Sequence, residues 1–302
     1  MVSPAHKRRA VQAVVEAGLC SQRRAFRYLE LNRSSGRYEP KPLSDWIDKL
    51  RRRMVALSRQ HDCLGYRKLT RLLREEGWRV GKKLVQRLRR DCDLRLKRWV
   101  RKQRRRGRST GVIPTRAEHV NHVLCWDFIA DRTDNGGKLR VLSIIDEYTR
   151  ECVAVHVARK IVAADLITIM EQVIAERGAP GFIRSDNGPE FIAKMLQSWL
   201  AHKAIKTLYI EPGSPWQNGF AESFNGSLRA ECIDRELLLS VAEARVVIND
   251  FKNYYNNIRP HGGIGYRTPT QARLDALGSS RPAGSIRQEL DPAPSSDTIS
   301  IN

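Results

Sequence analysis

Between residues 7 and 38 apolar positions recur at helical spacing: Ala10, Val11, Val14 and Val15 share a face, Gly18 stops the run, and Ser21 caps a stretch in which Phe26 and Leu29 keep the period. A third short helix is expected from Arg33 or Ser34. Three short helices with Arg23, Arg24, Arg27, Arg33 and Arg37 outward suit either a helix-turn-helix or a plain basic hairpin. Pro40 and Pro42 close this unit, 1–40. In 41–94 a helix capped by Ser44 precedes two amphipathic runs. Leu69, Leu72 and Leu73 line one, Leu84, Val85 and Leu88 line the other, and Gly77 to Gly81 supplies the turn. This predicts a helix-turn-helix-like region whose exposed faces carry Lys68, Arg71, Arg74, Lys82, Lys83, Arg87 and Arg90.

The pattern changes after residue 114. VLCWDFIA, KLRVLSIID and ECVAVHVA are strand-like runs separated by a TDNGG turn and by EYTR, which predicts an antiparallel meander. Helical and strand patterns then alternate: AADLITIMEQVIAERG, GFIRS, EFIAKMLQSWLAH, KTLYI, and a helix containing Glu222, followed by VAEARVVINDFKNYYNN. A meander followed by alternation argues for an α/β core, 115–275, with a mixed sheet and helices on its faces. Residues 276–302 are rich in Ser, Pro and Gly and are expected to form a disordered tail.

Charge adds a division of labour. The chain has 302 residues and a formal net charge of +21, with 33 Lys and Arg against 10 Asp and Glu in residues 1–110. The remaining residues hold 21 and 23, so the whole excess lies in front of the α/β core and points to a polyanion held there. Nine of the basic residues crowd 95–108, within a linker expected at 95–114. The six cysteines form no CxxC pair, which fits a reduced cytoplasmic protein. His119, His122 and Cys125 are close in sequence but lack the second ligand pair of a structural zinc site. The early apolar run is broken by Gln12 and Glu16, and nothing reaches membrane-spanning length, so neither a signal peptide nor a membrane partner is expected.

Three carboxylates are then candidates for chemistry. Asp127 lies inside an apolar strand pattern, where a charge is costly without a ligand or partner such as Arg140 or Arg150. Asp186 follows a strand in a DNG turn word, and Glu222 follows in a helix with 35 residues between the two, with Asn225, Gly226 and Arg229 on its face. Acids from separate elements can share hard divalent cations, and two such ions can hold the attacking and leaving oxygens of a phosphodiester displacement. Glu190 is the rival acid, expected to cap the start of a helix. PGSPWQNG reads as a loop preceding the Glu222 helix, with Gln217 and Asn218 as candidate DNA contacts. Asn257, Arg259, Pro260 and His261 are expected to fix a helix end against the core.

The words DNGPEF (186–191), PGSPWQNGFAESFNGSLR (212–229) and YYNNIRPHGGIGYRTP (254–269) resemble the OrfB catalytic subunit of IS-three-type insertion elements, and the three acids with Arg229 resemble the DDE motif shared with retroviral integrases. The likeness runs from about Leu43 to Arg273. It implies a ribonuclease-H-like core with a five-stranded mixed sheet behind a helix-turn-helix segment. It further implies Asp127, Asp186 and Glu222 as catalytic metal ligands for two Mg²⁺ or Mn²⁺ ions, with Arg229 on phosphate near the scissile bond. Asn225, Lys68, Arg71, Lys82, Lys83 and Arg87 complete the expected DNA contacts. Expected partners are element-end and target DNA, further copies of the chain, and the product of an upstream reading frame, in a bacterial cytoplasm. An inert DNA-binding relic and a nuclease without strand transfer are the alternatives.

Overall fold

The computed structural model describes residues 4–38, 44–94, 96, 115–211 and 215–278. Most of the expected basic linker and tail therefore falls outside the described residues. The described residues form two compact units, divided between Arg53 and Met54. In the first, helices α1 (Pro4–Glu16), α2 (Gln22–Tyr28) and α3 (Arg33–Gly36) follow the predicted order. Val11, Ala25, Phe26 and Leu31 form their core. Gly36 packs so tightly that an added Cβ would lie 2.3 Å from the Phe26 ring, so no larger residue fits without displacing it.

Helix α4 (Asp45–Gln60) leads into the second unit, where α5 (Tyr66–Glu75) and α6 (Lys82–Asp91) form the predicted pair. Leu69, Leu72, Leu73, Val85 and Leu88 are buried, as their spacing requires. Gly77 ends α5 at φ +90°, a conformation that an L side chain resists. Arg89 is buried too, donating to the Leu64 carbonyl at 2.8 Å. Lys68 departs from the expected exposed face: it is half-buried, with Arg259 and Glu231 as charged neighbours, and burial pushes its ammonium down to about 8.

The α/β core contains β1 (Val123–Arg132), β2 (Lys138–Asp146), β3 (Cys152–Ala158), α7 (Ala163–Arg177), β4 (Phe182–Ser185), α8 (Lys194–His202), β5 (Lys206–Tyr209), α9 (Gly219–Glu231), α10 (Val241–Asn257) and α11 (Pro269–Ala276). Strand order is β3-β2-β1-β4-β5. The β1–β2 and β2–β3 pairs are antiparallel, while β1–β4 and β4–β5 are parallel, which gives the mixed five-stranded sheet. Alternation along β1 divides the core. Cys125 and Ile129 face α9 and α10 with Phe224, Leu228, Ile248 and Phe251. Leu124 and Trp126 face α7 and α8 with Leu166, Met170, Leu196 and Leu200.

One expected helix start is corrected. Glu190 caps no helix: α8 begins at Lys194, and Glu190 forms an ion pair with Arg140 of β2. The reason lies next door, where Phe191 stacks on Trp126 and Phe128 at centroid separations of 5.0 and 4.9 Å. Placing that ring in the core holds residues 189–192 in turns and delays the helix.

The IRPH segment anchors α10 as expected. Arg259 makes a two-pronged contact with Glu231, 2.8 Å from Nε to Oε2 and 2.5 Å from Nη2 to Oε1. His261 Nε2 lies 3.0 Å from the Tyr255 carbonyl. Asn256 clamps both backbone groups of Cys152, accepting from its N–H and donating to its carbonyl at 2.9 Å each.

Candidate active site

Asp127 lies on the central strand β1, opposite Ser143 of β2, with its side chain on the face covered by α9. The Phe128 N–H donates to Oδ1 at 2.8 Å, and the Asn225 amide of α9 donates to Oδ2 at 3.0 Å. Neither Arg140 nor Arg150 is its partner: Arg140 pairs with Glu190, and Arg150 lies over the Phe220 ring at 3.5 Å. Burial, followed by the charges of Asp186 and Glu222, pushes the Asp127 carboxyl up to about 6, against the two hydrogen bonds that favour its ionised form.

Asp186 directly follows β4, where its Oδ1 accepts from the Gly188 N–H at 3.0 Å in the turn that the DNG word predicts. Glu222 is exposed in the first turn of α9, where the helix N-terminus favours a carboxylate. The β1–β4 register carries Asp186, just past β4, toward Asp127, and Asn225, three residues after Glu222 on α9, bonds Asp127, so both acids come within electrostatic reach of it. Their oxygens suit a hard divalent cation, and a half-buried carboxylate raised by desolvation and then by two other acids is the group that a cation would relieve. Among the described residues no group of three His, Cys, Asp or Glu side chains already forms a metal-binding cluster. The donor set fits such an ion by its chemistry and charge rather than as a closed cage.

The other sequence candidates separate into groups. Asn225 is in the site, bound to Asp127. Arg229 is on the same helix, where its guanidinium reaches Asp131 at 3.1 Å, the Ala130 carbonyl at 3.0 Å and Asp234 at 3.7 Å. Gln217 and Asn218 are buried. Gln217 Oε1 accepts from the Glu211 N–H at 2.9 Å, and Asn218 Nδ2 donates to the Trp126 carbonyl at 3.2 Å, beside Asp127. In this structure these two amides brace the approach to α9 from within. Lys82, Lys83 and Arg87 are exposed on α6, Lys82 lying 5.2 Å from the Tyr266 ring, and Arg71 pairs with Glu75 at 2.9 Å.

Two further contributors escaped sequence reasoning. Ser143, fully buried, donates to Asn225 Oδ1 at 2.8 Å and so orients the amide that holds Asp127. Its only signal was a single hydroxyl in the apolar run VLSIID. Arg184, two residues before Asp186, pairs with Glu147 at 2.6 Å, both side chains only 2% exposed, and also donates to the Thr115 carbonyl at 2.8 Å. Cys125 lies in the core while His119 and His122 stack on each other with centroids 4.5 Å apart, so the trio close in sequence does not converge.

Family models described as Integrase core domain match residues 117–215 and 203–269, and one described as HTH-like domain matches 46–104. The insertion element IS476 39.2 kDa protein of Xanthomonas euvesicatoria is 36% identical over 89% of this chain and 77% of its own length. The IS407 31.7 kDa protein of Burkholderia multivorans is 32% identical over 86% and 93%. The putative transposase InsK of IS150 from Escherichia coli is 26% identical over 82% and 92%. Among solved structures, the HTLV-2 integrase catalytic core in complex with magnesium has a TM-score of 0.42 at 20% identity, covering 52% of this chain and 99% of that one. A simian T-cell lymphotropic virus intasome chain scores 0.47 at 18% identity, covering 82% and 80%. With an integrase core behind a helix-turn-helix-like segment and relatives of this identity along most of its length, the chain belongs to the OrfB-type DDE transposases of IS-three-type insertion elements, polynucleotidyl transferases that move DNA.

Proposed function

We propose that Asp127, Asp186 and Glu222 are the catalytic acids of this transposase and hold two Mg²⁺ or Mn²⁺ ions between them. The supporting observation is the convergence on Asp127 of the end of β4, which carries Asp186, and of α9, whose Asn225 bonds the carboxylate one turn after Glu222, in a setting that raises the Asp127 carboxyl. When bound, the metal supplies a polarised nucleophile and neutralises charge on the scissile phosphate. The chain's own groups do the positioning. Asn225 aims Asp127, the Gly188 N–H aims Asp186, and the first turn of α9 presents Glu222. Arg229 leaves Asp131 and Asp234 to meet phosphate, an exchange between charged partners that costs little at a half-exposed position.

Chemistry proceeds by direct displacement: water attacks the phosphodiester at the element's 3′ end, leaving a 5′-phosphate on the flank, and the freed 3′-hydroxyl attacks a target phosphodiester and expels a target 3′-hydroxyl. The exposed cations of α6, with Arg71, grip duplex phosphate. Further copies of the chain and the upstream-frame product complete the assembly in the bacterial cytoplasm.

The test is a strand-transfer assay with labelled element-end duplex, Mg²⁺ or Mn²⁺, and wild-type or Glu222→Gln protein. Metal-dependent joined product from the wild type alone is expected, with end binding equal in both. Joined product from Glu222→Gln would remove Glu222 from the site. End binding without chemistry by either protein, with the upstream frame fused as well, would favour the inert relic.

A further inference from the structure

The second unit contains a junction that the chemistry above does not use. After α4, the loop 61–64 and the start of α5 lie against the far end of α9, the end away from Glu222. Arg235, four residues past α9, grips Asp62 with both guanidinium nitrogens at 2.5 Å each, and its Nη1 also reaches Cys63 Sγ at 2.9 Å. His61 stacks on Tyr254 of α10 at 5.5 Å. Lys68 of α5 has Glu231, the last residue of α9, and its partner Arg259 as charged neighbours. Lys82, the first residue of α6, lies 5.2 Å from the Tyr266 ring.

These contacts are charged, polar or aromatic, and neither apolar cluster of the α/β core includes a side chain from α5 or α6. A junction of this kind contributes little to folding, since exposed ion pairs are worth about 1 kcal/mol or less. It does fix orientation, because a two-pronged guanidinium–carboxylate contact permits one geometry. Meanwhile α6 leaves Lys83, Gln86, Arg87 and Arg90 exposed at positions i, i+3, i+4 and i+7, a continuous outward stripe of residue types that contact phosphates and base edges.

We propose that Asp62 and Arg235, buttressed by Lys68 and Glu231, form a polar latch that sets the distance between the DNA-facing stripe of α6 and the catalytic end of α9. These are positioning residues: they touch no reacting atom, yet they determine which phosphate of a DNA end held by α6 reaches Glu222. The inference rests on the transposase reading above. Because the outward stripe stays open while the latch is closed, the latch measures a span rather than blocking DNA.

The test uses full-length wild type, Asp62→Arg, Arg235→Asp and the double reversal Asp62→Arg/Arg235→Asp. Two readouts apply: the distance distribution between spin labels installed at Arg90 and Ala230, and the position of cleavage on labelled duplex carrying the element's terminal sequence. Each single reversal is expected to broaden the distance distribution and scatter the cut. Correct-position cleavage should fall about tenfold to hundredfold, as displacement by about an ångström does. The double reversal is expected to restore both readouts, which a general loss of folding would not allow. A wild-type distance left unchanged by the single reversals, or a cut that stays at one position in them, would overturn the latch. If the wild type does not cut even with the upstream frame fused, the transposase reading fails on that readout, and the distances still decide the latch.

Discussion

Asn225 donates its amide hydrogen to Asp127 Oδ2 at 3.0 Å while the buried Ser143 hydroxyl donates to Asn225 Oδ1 at 2.8 Å, so one amide on α9 locks an acid on β1 to a hydroxyl on β2. Removing that amide leaves Asp127 one donor poorer in a site that already disfavours its charge. Asn225→Ala is therefore expected to push the Asp127 carboxyl further up and to move the acid limb of the pH–activity profile to higher pH. Strand transfer should fall about tenfold or more, equivalent to roughly 1.4 kcal/mol. A normal profile with only weakened DNA binding would instead make Asn225 a substrate contact.

The raised carboxyl also has a cost in the metal-free protein. A folded value of about 6 against an ordinary 3.8 means that the native state binds the proton more tightly. The resulting stabilisation is fully present below the unfolded value and is lost as pH rises through about 6. At pH 7.5 in chelator, Asp127→Asn should be more stable than wild type by roughly 2 kcal/mol. Added Mg²⁺ should raise the melting temperature of the wild type more than that of the variant. Thermal melts at pH 4.5 and 7.5 check both statements: the variant's advantage should shrink at the lower pH.

His261 works in the opposite sense. Burial, then the nearby Arg259 charge, pushes its imidazole down to about 3, so it folds neutral beside the Tyr255 carbonyl. Its contribution is present above pH 6.5 and is lost as pH falls toward about 3, because the unfolded chain takes up the proton first. Difference melts of wild type against His261→Gln between pH 7 and 4 should isolate this slope. Equal slopes would mean that the ring is solvated.

The buried loop amides and the exposed α6 cations predict different failures. Gln217→Ala and Asn218→Ala strip partners from the Glu211 N–H and the Trp126 carbonyl, so each is expected to cost roughly 1–3 kcal/mol of stability with little change in the salt dependence of DNA binding. Lys83→Ala and Arg87→Ala should leave the melting temperature nearly unchanged and lower the slope of log affinity against log salt by about one each. Filter binding at several salt concentrations, together with thermal melts, separates the two classes.

The fold was legible where one physical rule dominates. Strand-like apolar runs between turn words marked β1 to β3, helical period marked α5, α6, α7, α9 and α10, and the DNG turn placed Asp186 at a strand end. The failures share a cause, since a side chain's direction depends on neighbours remote in sequence. Glu190 looked like a cap until Phe191 was required in the core, and Lys68 looked solvated until Glu231 and Arg259 lay beside it. Ser143 carried no pattern at all: its role exists only because Asn225, 82 residues away, comes within 2.8 Å.

The strand order has a consequence for how the site comes apart. β1 is the middle strand, bonded to an antiparallel neighbour on one side and a parallel one on the other. Asp127 is held in the middle of the β1–β2 ladder, an arrangement expected to open late, whereas Asp186 sits in a turn and Glu222 in the first turn of a helix. Partial opening would release two of the three acids and leave the third in place. On the proposed assignment, the catalytic arrangement is therefore expected to be lost and regained by local opening, without the sheet unfolding.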